Sequence, residues 1–261
     1  MQPVLLATVH HPNVSLPQLQ QVVASVSKIF SAIYVTISSV TTNEIARLLD
    51  EAPKFHCRII EPHGAADARR KVLEFGLQDV HYSASFFYCD FDKIVVAVER
   101  AESALEAFVK RLQAVDGYQI VGRDLVVMRS YPATWRETEA ITNKAASAVL
   151  GLPDLDITAG CCAFSQEAAR YILANSKGLL TDTEWPLICK VAKLPITAIK
   201  ISFLPYDPAV NAGRDDDNWR GYASRLRLAY QALQSLEQGV DRLDQTDTPK
   251  QVKVGWPYNG H

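Results

Sequence analysis

Nothing in this 261-residue chain is apolar for the ~20 consecutive residues that a bilayer span requires. Its N-terminus, MQPVLLATVHHP, also lacks the basic, apolar and small-residue sections of a secretory leader. A cytoplasmic protein with no integral membrane segment is therefore expected. Charge of either sign is not in excess: 27 Lys and Arg face 29 Asp and Glu, a formal net charge of -2. No global field draws the chain to nucleic acid, so any anion it binds must be gripped locally. The five cysteines (Cys57, Cys89, Cys161, Cys162 and Cys189) show no C-x-x-C spacing, which argues against a structural zinc site and for reduced, buried thiols. There is no G-x-G-x-x-G, no phosphate-loop lysine motif and no internal repeat, so dinucleotide-fingerprint folds, P-loop folds and solenoids are all disfavoured.

What is present alternates. Pro3 to Val9 reads as a strand, and Leu16, Leu19, Val22, Val23, Val26, Ile29 and Phe30 then recur at three- and four-residue spacing, as one helix face does. Strand Ala32 to Ile37 follows, and Thr41-Thr42-Asn43-Glu44 has capping-box spacing before a short helix. Strand His56 to Ile60 leads through Pro62-His63-Gly64 into a helix from Ala65 to Phe75, ending near Gly76. Later segments predict a helix from Ala101, a strand from Gly117 to Arg123 and a helix from Trp135 to Leu150. An extended run Asp156 to Phe164 precedes a helix capped by Ser165 and another opened by Thr181-Asp182-Thr183-Glu184. A strand Ile196 to Phe203, a polar loop to Asn218 and a helix from Trp219 to about Leu236 complete the series. The pattern predicts a single α/β domain over residues 1–238, with a mixed, mostly parallel sheet flanked by helices and a tail over 239–261.

The pivotal stretch is Ser85 to Lys93. Phe86, Phe87, Tyr88 and Cys89 have the character of a strand buried on both faces, and the run ends abruptly in Asp90-Phe91-Asp92. Two readings are open on the residues alone: a polar strand end, or two carboxylates at a strand's carboxyl end, where open α/β sheets bind ligands and where a divalent cation can be held against a diphosphate.

Three passages resemble, in order, family 2 glycosyltransferases of the A-type fold, and most closely polyprenyl-phosphate sugar synthases. They are GAADARRKVLEFGLQDVHYSASFFYCDFD, YQIVGRDLVVMRSYPATWRETEAITNKAASAVLGLPDLDITAGCCAFSQEAARYIL and LLTDTEWPLICKVAKLPITAIKISFLPYD. The resemblance implies an A-type fold and inverting transfer of a sugar from a UDP- or GDP-linked donor to an acceptor, assisted by Mg²⁺ or Mn²⁺. The chain departs from the family at His10-His11-Pro12-Asn13 after the first strand, at Ser38-Ser39 after the second, and at Gly160-Cys161-Cys162, where the family has an arginine.

By that resemblance Asp92 is the expected metal ligand, with Asp90 on the metal or the ribose; Phe91 between them would leave both carboxylates on one side of an extended chain. His11, Ser38 and His63 would lie at the nucleotide. Arg69 or Arg70 either reaches the phosphate or base, or belongs to a solvated helix face. Arg123 either holds an anionic group by a bidentate fork or pairs with its neighbour Asp124. Arg136, Gly160, Arg214 and Arg220 are further candidates for acceptor or phosphate. Asp182 matches the family's general base and Glu184 its companion, with helix capping as the alternative for both. Asp182, with no membrane segment, favours a soluble hydroxyl acceptor over a lipid phosphate, and homodimerisation is left open. Two competing readings are a phosphatase that uses Asp90 as nucleophile and a degenerate fold that only binds a nucleotide sugar.

Overall fold

The computed structural model describes residues 2–80, 84–112, 114–211 and 218–246. Seven strands form one sheet: β1 (Val4–Val9), β2 (Ile33–Ser38), β3 (Phe55–Ile60), β4 (Ser85–Cys89), β5 (Tyr118–Arg123), β6 (Cys161–Ser165) and β7 (Ile196–Ile201). Their spatial order is β3-β2-β1-β4-β6-β5-β7. All neighbours pair parallel except β6, which runs antiparallel to both β4 and β5. The chain works outward from β1 to β3 and then returns to place β4 on the other side of β1, so the strand order reverses beside the carboxyl end of β4.

Alternation along each strand feeds two cores. On β4, Phe87 and Cys89 join one cluster, while Phe86 and Tyr88 join the other. The first cluster is covered by α1 (Leu16–Ile29), α2 (Asn43–Asp50) and α4 (Phe91–Arg111). The second is covered by α3 (Ala65–Asp79), the C-terminal half of α6 (Ala133–Leu150), α7 (Gln166–Asn175), α8 (Thr181–Val191) and α9 (Trp219–Thr246). A short helix, α5 (Leu125–Arg129), follows β5. Phe86 and Phe87 are both fully buried, each worth about 1.5–3 kcal/mol of transfer free energy.

Several boundaries differ from expectation, each for a local reason. The capping box forms at Ser15 and Gln18, whereas the helix after Thr42 has no side-chain cap. Gly76 does not end α3; it is an interior residue whose missing Cβ admits β1, since a methyl there would lie 2.7 Å from Leu6 Cδ2. The segment before β6 is a turn of 3₁₀ helix, Ile157–Ala159, rather than extended chain. The helix expected from Ala101 is only the second half of α4, which is interrupted at Ala101 (φ -154°, ψ 38°) and begins directly at Phe91. Asp90 is thus the N-cap of α4 and Asp92 lies in its first turn, so the two carboxylates are not on an extended chain. Finally, α9 continues past Leu236 to Thr246.

Candidate active site

At the carboxyl end of β4 lies a cavity of about 360 Å³, walled by the starts of α3, α4 and α8, by α6 and by α9. Tyr88, Asp90, Arg69 and Asp182 are brought together here from three separate elements. Arg69 sits on the buried face of α3, only 8% exposed, and its guanidinium is fully engaged. Nε donates to the Tyr88 hydroxyl at 3.0 Å, Nη1 to Thr181 Oγ1 at 2.8 Å and to Asp182 Oδ2 at 2.5 Å, and Nη2 to both oxygens of Asp90 at 2.9 and 3.0 Å. The arginine therefore clamps the end of β4 to the start of α8. Neither reading left open for Arg69 describes this: it is not on a solvated face, and its N–H groups are taken by protein acceptors rather than left for a phosphate or base. Arg70 instead donates to the Gly178 carbonyl at 2.8 Å and braces the turn ahead of α8.

Asp90 carries a second cation. The Lys93 ammonium, one helical turn on, lies 3.4 Å from Asp90 Oδ2 and also donates to the carbonyl of Ala159. Tyr88 donates to Asp90 Oδ1 at 2.6 Å. Burial alone would raise the Asp90 pKa, but Arg69 and then Lys93 outweigh it and lower it to about 2. Burial likewise works against the charge on Lys93, and Asp90 reverses this, so the lysine titrates above its usual range. Gly160 makes the arrangement possible: at φ +66° it lies in the left-handed region, and a Cβ there would collide with Lys93 Nζ and Asp90 Oδ2.

This donor set does not suit the divalent cation expected on Asp92 and Asp90. Both Asp90 oxygens already serve two cationic side chains and a tyrosine, and a cation ligand needs exposed lone pairs. Among the described residues no three His, Cys, Asp or Glu side chains gather as a metal-holding group. Asp92 lines the cavity, with Oδ1 accepting from the Lys93 amide at 2.9 Å. The same commitments count against Asp90 as a phosphatase nucleophile.

Other expected residues fall elsewhere. Glu184 does not join Asp182 at the cavity; its carboxylate accepts from Ser176 Oγ at 2.5 Å and from the amides of Lys177 and Gly178 at 2.7 Å each, fixing the turn before α8. It also borders a second cavity of about 280 Å³ between α7, α8 and α9, but with its oxygens already committed to that turn. Arg123 is 1% exposed and does not pair with Asp124, which caps α5 through Val127 N. It instead bonds Asp156 through Nε at 2.8 Å and Nη2 at 2.9 Å, and Glu139 at 2.7 Å. Asn143 joins in, donating to Asp156 Oδ1 at 3.0 Å and accepting from Ile157 N at 2.8 Å. This buried network is scaffolding: it locks β5, α6 and the turn that delivers Ala159 and Gly160 to Lys93, so Arg123 is not available to a ligand.

Arg136 and Arg220 are exposed and do not line the cavity, the latter lying 5.2 Å over the Trp219 ring. Arg225 of α9 lines it in their place, 3.7 Å from Glu139. Arg214 lies outside the described residues. His11 follows β1 and Ser38 ends β2; the His11 amide donates to Thr41 Oγ1 at 3.2 Å, and Ser38 Oγ is buried with no hydrogen-bond partner among the described residues. His63 is exposed in the turn before α3. Sequence reasoning gave no role to Tyr88, Lys93, Thr181 or Arg225. For Lys93 the one available signal was a basic residue three places after Asp90, at the start of a helix.

No family model and no curated protein sequence matches the chain. Solved structures do. Glucosyl-3-phosphoglycerate synthase of Mycobacterium tuberculosis superposes with a TM-score of 0.52 at 11% identity, over 90% of this chain and 80% of the other. Its complex with Mn²⁺, uridine diphosphate and phosphoglyceric acid gives 0.45 at 14% identity, over 87% and 78%. The 4-diphosphocytidyl-2C-methyl-D-erythritol synthase of Anaerococcus prevotii gives 0.44 at 9% identity, over 88% and 99%. What the chain shares with the first of these is its architecture, a single α/β domain with a mostly parallel sheet flanked by helices, the fold of a nucleotide-diphospho-sugar transferase.

Proposed function

We propose that the chain is a transferase that takes a sugar from a nucleoside-diphosphate donor and delivers it, with inversion, to a hydroxyl acceptor. The observation that carries the reading is Arg69 bridging Asp90 and Asp182 at the strand-order reversal, inside the cavity. The diphosphate fits against the start of α4, where the positive end of the helix dipole and Lys93 favour negative charge. The base fits toward His11 and the unpartnered Ser38, with a UDP- or GDP-linked donor expected.

Asp182 suits a general base. Arg69 holds its Oδ2, while Oδ1 accepts no hydrogen bond from the described residues, so the carboxylate is oriented with one oxygen free. In the reaction an acceptor hydroxyl oxygen attacks the anomeric carbon and its proton passes to Asp182 Oδ1. The bond from the anomeric carbon to the diphosphate breaks, and the electron pair leaves with the diphosphate. A phosphate acceptor would need no such base, and among the described residues no helix is long and apolar enough to cross a membrane. Both points support a hydroxyl acceptor.

The test is isothermal titration with UDP, GDP, CDP and dTDP in the presence of Mn²⁺, followed by hydrolysis and transfer assays with sugar donors of whichever base binds. Asp182→Asn is expected to bind the nucleotide within about threefold of wild type and to lose at least about 100-fold in turnover. Failure of every nucleotide to bind refutes the donor assignment. Wild-type turnover in Asp182→Asn refutes the base, and binding without turnover in the parent protein identifies a binding fold.

A further inference from the structure

Asp90 Oδ2 and the Ala159 carbonyl converge on one point, and two converging oxygens of that kind are what a hard divalent cation takes as ligands. The point is filled by the Lys93 ammonium. Its side chain is 16% exposed, it lines the cavity, and Gly160 leaves out the one atom that would displace it. The site is thus shaped around a lysine.

Arg69 and Lys93 together bring two positive charges to Asp90, with Arg69 shared with Asp182. An ammonium has three N–H donors. Asp90 and Ala159 take two among the described residues, leaving a third for a ligand oxygen in the cavity.

We propose that the Lys93 ammonium takes the place of the divalent cation in this site, so that the chain binds its nucleoside diphosphate without metal. The proposal rests on the donor assignment above and names what grips the diphosphate. Asp92 is then not required as a metal ligand, the opposite of the role that sequence reasoning gave it.

The experiment is titration of UDP and GDP into the full chain in excess chelator and again in Mn²⁺, with Lys93→Gln and Asp92→Asn beside the wild type. Equal wild-type affinity in both buffers, within about threefold, is expected. Lys93→Gln is expected to lose at least about tenfold in chelator, and Asp92→Asn to bind as well as wild type or better. Wild-type binding that requires Mn²⁺, or a tenfold loss in Asp92→Asn, overturns the lysine proposal and leaves the donor assignment standing. No binding in either buffer overturns both. Should Lys93→Gln fail to fold, the wild-type comparison and Asp92→Asn decide the question without it.

Discussion

Replacing Arg69 by Met keeps most of the apolar stem and deletes the guanidinium that joins Asp90 to Asp182. Arg69 is 8% exposed, and the side chains of its two carboxylate partners are 24% and 15% exposed, so the deletion strands two negative charges in a largely desolvated site. Breaking a buried ion pair from one side costs about 3–5 kcal/mol, a large share of the ~5–15 kcal/mol by which domains are stable. For a chain of this size each kcal/mol moves Tm by about 2–4 °C, so Arg69→Met should melt roughly 6–20 °C lower by calorimetry at pH 7. The gap should also narrow in acid. In the wild type the depressed Asp90 pKa adds stability above the unfolded value of 3.8 that is lost as pH falls toward 2; without Arg69 the pKa is less depressed and less is lost. A Tm within 3 °C of wild type, on the scale of ~1 kcal/mol, or a gap that stays constant from pH 7 to pH 3, would show that the clamp contributes no more than a surface pair.

Acid should also destabilise the wild type in a defined window. The drop of the Asp90 pKa from 3.8 to about 2 is worth about 2–3 kcal/mol at ~1.4 kcal/mol per unit, present above pH 4 and mostly gone by pH 2. Asp156, whose burial is outweighed by Arg123 so that its pKa is also lowered, adds to the loss in the same direction; urea melts at pH 5, 4, 3 and 2 that show no fall in midpoint would contradict both assignments. Glu184→Ala should lower stability by about 2–4 kcal/mol, because the Lys177 and Gly178 amides and the Ser176 hydroxyl lose their acceptor. Nucleoside-diphosphate affinity should be unchanged in that variant, and full stability with abolished turnover would return Glu184 to a catalytic role.

Much of the sheet was readable because each strand writes its own burial into its residues: Phe86 to Cys89 is apolar at every position, and β4 is indeed buried on both faces. The start of α4 was not readable. An Asp that caps a helix and an Asp that ends a strand have the same neighbours, and the kink at Ala101 made the later half of the helix look like the whole. For Arg123 the sequence offered an anionic ligand or the adjacent Asp124, whereas its acidic partners, Glu139 and Asp156, are 16 and 33 positions away. Lys93 was hidden for the same reason. A lysine in a first helical turn reads as solvated, and only the approach of Ala159 and Gly160, just ahead of β6, puts a carbonyl and a closed wall around it. Local chemistry can be seen in a sequence, but the desolvation that gives it force is supplied by distant segments.

The last helix has a consequence in time. α9 packs on α6 and α8 and supplies Arg225, Leu228, Ala229 and Ala232 to the cavity wall, yet it follows every strand in the chain. A ribosome extending the polypeptide by about 5–20 residues per second releases the whole sheet before this wall exists. During that interval the Arg69 clamp can form while the chamber around it stands open. The cavity gains its last wall only once synthesis has passed α9, so a chain stalled short of that helix would carry Arg69, Asp90 and Asp182 with an unfinished chamber.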